Sequence, residues 1–222
     1  IDVARGAVST AGGAGALVGT ANMRTLGVND IIKPGNKTGV LSMVTYGTNN
    51  VGWQEMLAAG ATSGAVGIAG AISHREPNNY ENGSGVAIPF THQDLVSGLF
   101  KMDFALSSEQ SLKLGAVLYD NDFFANSYFQ NVTSETYTLK YAYKPRNNPL
   151  IDFAFNASAN QVRMEYFHDS TPTTGVPNPL GSAAGRVIRD SGKGFDVTNT
   201  SRFSFGGVRV AATYGYEHFL DD

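Results

Sequence analysis

The feature that most constrains the fold of this sequence is a two-residue alternation of apolar and polar side chains. It recurs in segments of about ten residues, and the clearest one runs from residue 134 to 144. A β-strand points successive side chains to opposite faces, whereas a helix would repeat every three to four residues. The pattern therefore predicts strands with one apolar and one polar face. The apolar positions of the clearest segment are Tyr137, Leu139, Tyr141 and Tyr143.

Similar segments follow one another from residue 38 to residue 218, and we interpret the chain as all-β. The predicted strands are Thr38–Gly47, Gly52–Thr62, Ala65–Arg75, Asp94–Leu106, Ser111–Tyr119, Ser134–Lys144, Leu150–Asn160, Phe195–Phe205 and Val208–His218.

The connections between these segments indicate where the strands lie. After the first pair of strands, long connections (76–93, 120–133 and 169–194) alternate with short ones. Aromatic residues also cluster near strand ends, as they do at a bilayer interface. A soluble sandwich shows the same alternation but has no reason to place all long loops at one end. The pattern is typical of outer-membrane barrels, whose extracellular loops are long and whose periplasmic turns are short. Single-chain bacterial barrels have an even number of strands with every edge paired, so nine strands cannot close by themselves and we expect part of a larger wall.

Composition excludes several other classes of protein. The chain has 222 residues, no cysteine and a formal net charge of −3, which rules out disulfides and gives no electrostatic case for nucleic acid. No apolar run is long enough for a transmembrane helix, and no nucleotide-binding, protease or hydrolase motif is present. The sequence shows no targeting signal at Ile1 and stops just after a strand-like run, so we expect an internal piece of a longer protein.

Residues 1–25 are rich in glycine and alanine. Small residues permit tight turns and close approach of two backbones, and the segment closes on a short strand-like run at 21–25. The positions that define the pattern are Arg5, Gly6, Gly12, Gly13, Gly15, Gly19, Asn22 and Thr25.

This order of motifs resembles the end of the plug domain of TonB-dependent outer-membrane receptors. The resemblance implies that residues 1–33 are the C-terminal end of the plug and a connector. Residues 34–222 would then be the first part of a plugged, 22-stranded, antiparallel transmembrane β-barrel. In this family the plug closes the barrel sterically. We expect Arg5 or Arg24 to contact a polar wall residue such as Glu55 or Asp103.

Several stretches of the expected wall resemble the haem and haemophore branch of the family. They are SMVTYGTN (42–49), MLAAG (56–60), AISHREPNNY (71–80), NTSRF (199–203) and YGYE (214–217). The resemblance implies a receptor in the outer membrane of a Gram-negative bacterium that imports haem delivered by a haemophore or haem protein. The TonB complex would supply the energy, with no covalent chemistry and no intrinsic cofactor. A siderophore or vitamin B12 receptor is an alternative, as is a passive porin-like or adhesive barrel, although that barrel needs no plug-like segment.

The four histidines fall near predicted strand ends, at the level of the long loops. In the haem branch the iron-ligating histidines would lie outside this segment, so we interpret these four as solvated rim or interfacial residues and predict no metal site. His74 and His92 flank the same long loop and are the pair that could approach each other. The other two are His168 and His218.

Aromatic residues in two of the predicted long loops are the candidate binding residues. Exposed aromatic side chains on a loop are typical anchors for a protein partner or for a flat ligand such as a porphyrin. They also order loops by folding back onto them, and the sequence leaves both roles open. The candidates are Tyr80, Phe123, Phe124, Tyr128 and Phe129.

Overall fold

A computed structural model describes residues 2–5, 19–22, 24–125, 128–169 and 185–222. Its elements are two short strands, one helical turn and nine longer strands. In chain order they are β1 (Asp2–Arg5), β2 (Gly19–Asn22), α1 (Val28–Ile31), β3 (Thr38–Gly47), β4 (Gly52–Ser63), β5 (Val66–Glu76), β6 (Gln93–Ala105), β7 (Gln110–Ala125), β8 (Tyr128–Tyr143), β9 (Phe153–Asp169), β10 (Val187–Phe205) and β11 (Val208–Asp221).

The nine longer strands form a single antiparallel sheet in strict sequence order, from β3 at one edge to β11 at the other. Every predicted strand is present, and the all-β interpretation is confirmed. The first two strands form a separate antiparallel pair, in which Asp2 is opposite Asn22. Gly19 and Asn22 therefore lie in β2 and Arg5 in β1, whereas Gly6, Gly12, Gly13 and Gly15 lie outside the described residues.

The prediction of a long loop at 120–133 is wrong. Strand β7 continues to Ala125, β8 starts at Tyr128, and their pairing is unbroken up to those two residues. Strands β9 and β10 likewise run beyond their predicted limits, to Asp169 and from Val187. Alternation marks only the part of a strand with one apolar face. Where both faces carry polar residues the backbone ladder continues without that signal.

The connections divide between the two ends of the sheet. The loop end carries the connections that follow β3, β5, β7 and β9, including the long connection 77–92. The turn end carries 64–65, 106–109, 144–152 and 206–207, together with the segment that leads into β3.

One face of the sheet, here called the inner face, is covered near the turn end by α1. Val28, Ile31 and Ile32 form a small buried core with Ala58 of β4 and Ala69 of β5. The strands approach α1 closely because their inner face carries small residues at these positions. Polar residues predominate over the rest of the inner face, as alternation and register show. It carries Lys101, Lys113, Thr138, Lys140, Asn156 and Asp196.

The opposite, outer face is apolar over the middle of the strands and is left uncovered by the described residues. Many of its large side chains are 48% or more exposed, so the sheet cannot be a conventional sandwich with this face in its core. Among the described residues, no helix has the length and apolar character needed to cross a membrane. Outer-face residues include Leu57, Ile72, Phe100, Leu118, Tyr137, Tyr214 and Tyr216.

An ion pair fixes the start of α1. One nitrogen of the Arg24 guanidinium donates to Asp30 at 2.8 Å, and the backbone N–H of Gly27 donates to the same carboxylate at 2.7 Å. Arg24 therefore pairs with Asp30, which is neither of the two wall residues expected as its partner, Glu55 and Asp103. Glu55 lies on the outer face, opposite His74, and Asp103 pairs with Lys113.

Replacing Gly39 with alanine should displace α1. A Cβ at this position would overlap the carbonyl oxygen of Ile31, and backbone atoms cannot move aside as a flexible side chain can. We expect a local cost of about 1–3 kcal/mol, typical of overpacking. Hydrogen exchange of residues 28–32 in the purified protein would measure it. The matched control is Gly70→Ala, where the added Cβ lies 3.6 Å from its nearest neighbour. Equal exchange in both variants would contradict this packing.

The start of α1 should also loosen in acid. The hydrogen bond from Arg24, followed by that from the Gly27 amide, lowers the pKa of Asp30 from 3.8 to about 2. A lowered carboxyl pKa stabilises the fold above pH 3.8, and this contribution is lost as the pH falls from there towards 2. Exchange of the Gly27 amide should rise over that interval beyond its intrinsic pH dependence. The Asp30→Asn variant should lack the transition, and its persistence there would assign it to another group.

Candidate ligand-binding surface

The connection 77–92 at the loop end is closed at its base by the Asn79 side chain. Its Oδ1 atom accepts hydrogen bonds from the backbone N–H of Thr91 at 2.9 Å and of His92 at 3.0 Å. The Thr91 hydroxyl in turn accepts from the Tyr80 N–H at 3.0 Å and donates to the Ile88 carbonyl at 2.9 Å. The two ends of the connection are therefore held together by side chains.

A second asparagine shapes the tip of the same connection. The Asn82 side chain accepts from the backbone N–H groups of Ser84 at 2.9 Å and Val86 at 3.1 Å. A neighbouring turn is tied to it, because the Glu81 N–H donates to the Asn49 side chain at 2.6 Å. The connection thus presents a defined surface at the loop end.

Five rings form a cluster at the C-terminal end of this connection and on the neighbouring strands. It is here called the aromatic cluster and comprises Phe90, His92, Phe124, Phe129 and Phe167. Phe124 is at its centre, with ring centroids 4.7 Å from Phe90, 5.5 Å from His92 and 5.0 Å from Phe129. Phe167 extends the cluster, 5.8 Å from Phe129. Tilted and edge-on rings at these distances attract one another, by about 0.5–1.5 kcal/mol per pair beyond their buried area.

The aromatic cluster differs from the set predicted by sequence. Phe124 and Phe129 belong to it, directly opposite each other on β7 and β8. Phe123 is the residue next to Phe124 on a strand and so lies on the inner face, opposite Gln130. Tyr80 lies in the connection 77–92 and is 39% exposed. The side chain of Tyr128 is outside the described residues. Sequence reasoning missed Phe90, His92 and Phe167 because strand register, and no local motif, brings them together.

The structure does not pair His74 with His92. The Nε2 atom of His74 lies 3.1 Å from Oδ1 of Asp94, while His92 packs edge-on against Phe124. His218 stacks on Phe195, 6.0 Å between centroids, and His168 lies near the end of β9 with its side chain outside the described part. The described residues contain no group of three or more metal-ligating side chains.

The inner face near the loop end contains buried polar atoms without partners. Asn121 is 5% exposed and its Oδ1 atom has no hydrogen-bond partner among the described residues, and the same is true of Nε of Arg75. Arg75 and Asn121 are each paired with Leu95, so all three side chains lie on the same face of the sheet, the inner one. Buried polar atoms are nearly always satisfied in a complete protein. A polar structure or ligand against this face would satisfy them.

Comparison with known proteins identifies relatives for this arrangement. The chain is 23% identical to TonB-dependent heme receptor A of Haemophilus influenzae over 92% of its own length and 31% of the relative's. A probable TonB-dependent receptor of the same organism is 35% identical over 44% of the chain and 11% of that relative. These similarities support a TonB-dependent receptor segment. No protein-family model matches the chain.

The fold agrees with this assignment. The chain superposes on the Serratia marcescens hemophore receptor HasR, solved as a double mutant in complex with its hemophore HasA and heme. The TM-score is 0.79 at 23% identity, over 99% of this chain and 32% of HasR. The nine-stranded sheet therefore matches part of the barrel of a receptor of this kind. The chain spans about one third of the length of heme receptor A and of HasR.

Replacing Asn79 with alanine should open the base of connection 77–92. The Thr91 and His92 amides would lose their acceptor, and each unsatisfied N–H costs about 1–3 kcal/mol where water cannot replace the lost bond. We expect faster proteolysis within 77–92 of the full-length receptor. The control is Asn78→Ala, since Asn78 is exposed and adjacent. Equal proteolysis of the two variants would show that the side-chain bonds do not hold the connection.

Proposed function

We propose that this chain is part of a TonB-dependent outer-membrane receptor that imports haem into the periplasm. Residues 1–33 form the end of its plug and the connector, and residues 34–222 form the first part of its barrel wall. The observation that carries the proposal is similarity to TonB-dependent heme receptor A across 92% of the chain, together with the match of the sheet to HasR.

The two faces of the sheet support a position in the outer membrane. The uncovered apolar face suits lipid, and the polar face suits the interior of a barrel filled by a plug. The rings of Tyr46 and Trp53 lie on the outer face near the loop end, 4.8 Å apart, where interfacial aromatics are expected. Strands β3 and β11 end the sheet, and lipid cannot satisfy their free edges. Further strands would pair with them and close the wall.

In this orientation the loop end is extracellular and the turn end is periplasmic. The connection 77–92 and the aromatic cluster then form part of the surface that meets haem or a haem-carrier protein such as a haemophore. The TonB complex would pull on the plug and open a path along the inner face. The receptor binds, releases and moves its ligand without covalent chemistry.

Titration of the full-length receptor with haem in detergent tests the proposal. We expect a shifted Soret band and micromolar or tighter affinity, either for haem alone or for haem delivered by a carrier protein. Phe124→Ala should weaken binding by about tenfold, the effect of losing an interface anchor worth ~1.4 kcal/mol. Phe205→Ala is the control, because Phe205 is an exposed aromatic residue at the turn end.

A flat titration, with and without a carrier protein, would contradict the haem assignment. Binding of a ferric siderophore in the same preparation would then identify the receptor as a siderophore receptor of the same fold. If the Phe124 and Phe205 variants lost binding equally, the aromatic cluster would not be part of the binding surface. The haem assignment itself would still stand.

A further inference from the structure

We propose that three lysines on the inner face, Lys101, Lys113 and Lys140, form a transit subsite for the carboxylates of the transported ligand. This inference rests on the proposed function and adds a ligand-binding position inside the barrel, distinct from the extracellular loops. The three residues, here called the lysine patch, lie on the neighbouring strands β6, β7 and β8.

Strand register places the lysine patch on the same face as α1. Lys101 is paired with Ala69, whose side chain packs in the core around α1. Asp103 is paired with Gly67, where an added Cβ would lie 3.0 Å from the Val28 side chain. The patch also lies close to the turn end, because β6 ends at Ala105. Under the proposed orientation it is on the interior wall near the periplasm.

The lysine patch brings like charges together. Lys113 and Lys140 are directly opposite each other on β7 and β8, an arrangement that destabilises a sheet when nothing compensates it. Asp103 supplies one carboxylate, 3.3 Å from the Lys113 ammonium. Within the described part of the chain, no carboxylate forms an ion pair with Lys101 or Lys140. The patch therefore holds three positive charges against one negative charge.

Gly115 leaves the space that the Lys101 side chain occupies within the patch. It lies between Lys101 and Thr138 on the paired strands, and a Cβ there would meet Oγ1 of Thr138 at 2.7 Å and Nζ of Lys101 at 3.2 Å. The missing side chain leaves room for Lys101 to extend over β7 towards Thr138. The Lys101 ammonium is thereby directed towards the Thr138 hydroxyl, and register places Lys140 two residues further along the same strand on the same face.

These groups suit a carboxylate-bearing ligand. Ammonium groups offer several hydrogen-bond donors and no acceptor, and bonds from them to a carboxylate are about twice as strong as neutral ones. Neighbouring strands are about 4.8 Å apart, so the patch spans roughly 10 Å from β6 to β8. That width lets two carboxylates bind at once, and haem carries two propionate groups. Exposure to water keeps each contact weak, which suits a position that must also release its ligand.

Uptake by the full-length receptor in cells tests the subsite. The test variant carries Lys101→Gln and Lys140→Gln, and the probes are haem and its dimethyl ester, in which both propionate groups are uncharged. We expect haem uptake to fall by about threefold or more, with ester uptake and haem binding at the cell surface unchanged. A variant with Lys101→Arg and Lys140→Arg keeps the charge and should keep haem uptake. Lys193→Gln is the matched control, since Lys193 lies on the outer face.

Three results would overturn the subsite. Unchanged haem uptake in the glutamine variant would show that the lysines do not act on the ligand, and equal loss of haem and ester uptake would show that they do not act on its carboxylates. Increased entry of an antibiotic that the native receptor excludes would assign the patch to contact with the plug. If the native receptor fails to bind haem at all, the proposed function fails first and the subsite fails with it.

Discussion

The backbone ladder of the nine-stranded sheet is the interaction on which the rest of the structure depends. Each strand pairs with its neighbours in the chain, so every interior strand has its N–H and C=O groups satisfied on both sides. This leaves the side chains of one face free to be largely apolar over the middle of the strands and those of the other to be largely polar. A conventional core is nearly absent, since the large apolar side chains are exposed on the outer face.

The position of the helical turn α1 shows which face of the sheet is the inner face. It packs on small residues, Ala58 and Ala69 among them, and so marks one face as the inside. Register then carries that assignment across the sheet to Lys101, Lys113 and Lys140. The proposed position in a barrel wall rests on the contrast between a lysine-bearing inner face and an uncovered, largely apolar outer face.

At the loop end, the proposed binding surface and the packing of the strands involve the same residues. Asn79 and Asn82 hold the connection 77–92 with side-chain acceptors, and the aromatic cluster packs beside it. The sequence predicts Phe124 and Phe129 as loop residues that either anchor a partner or ligand or order the loop by folding back onto it. In the structure they order the tops of two paired strands as well as forming part of the candidate surface. The two roles that the sequence left open are compatible.

The sequence by itself determined the number, order and type of the strands from Thr38 onwards, because alternation reports which face of a strand is apolar. It could not determine how far β7, β8, β9 and β10 extend, since strands with two polar faces lose that signal. Nor could it find the aromatic cluster, the Arg24–Asp30 pair or the lysine patch. The aromatic cluster and the lysine patch depend on register between strands, whereas the Arg24–Asp30 pair depends on the turn that starts α1, which leaves no periodic signal in the sequence. Only the tertiary structure fixes such contacts, because a shift of one residue in register moves every side chain to the other face.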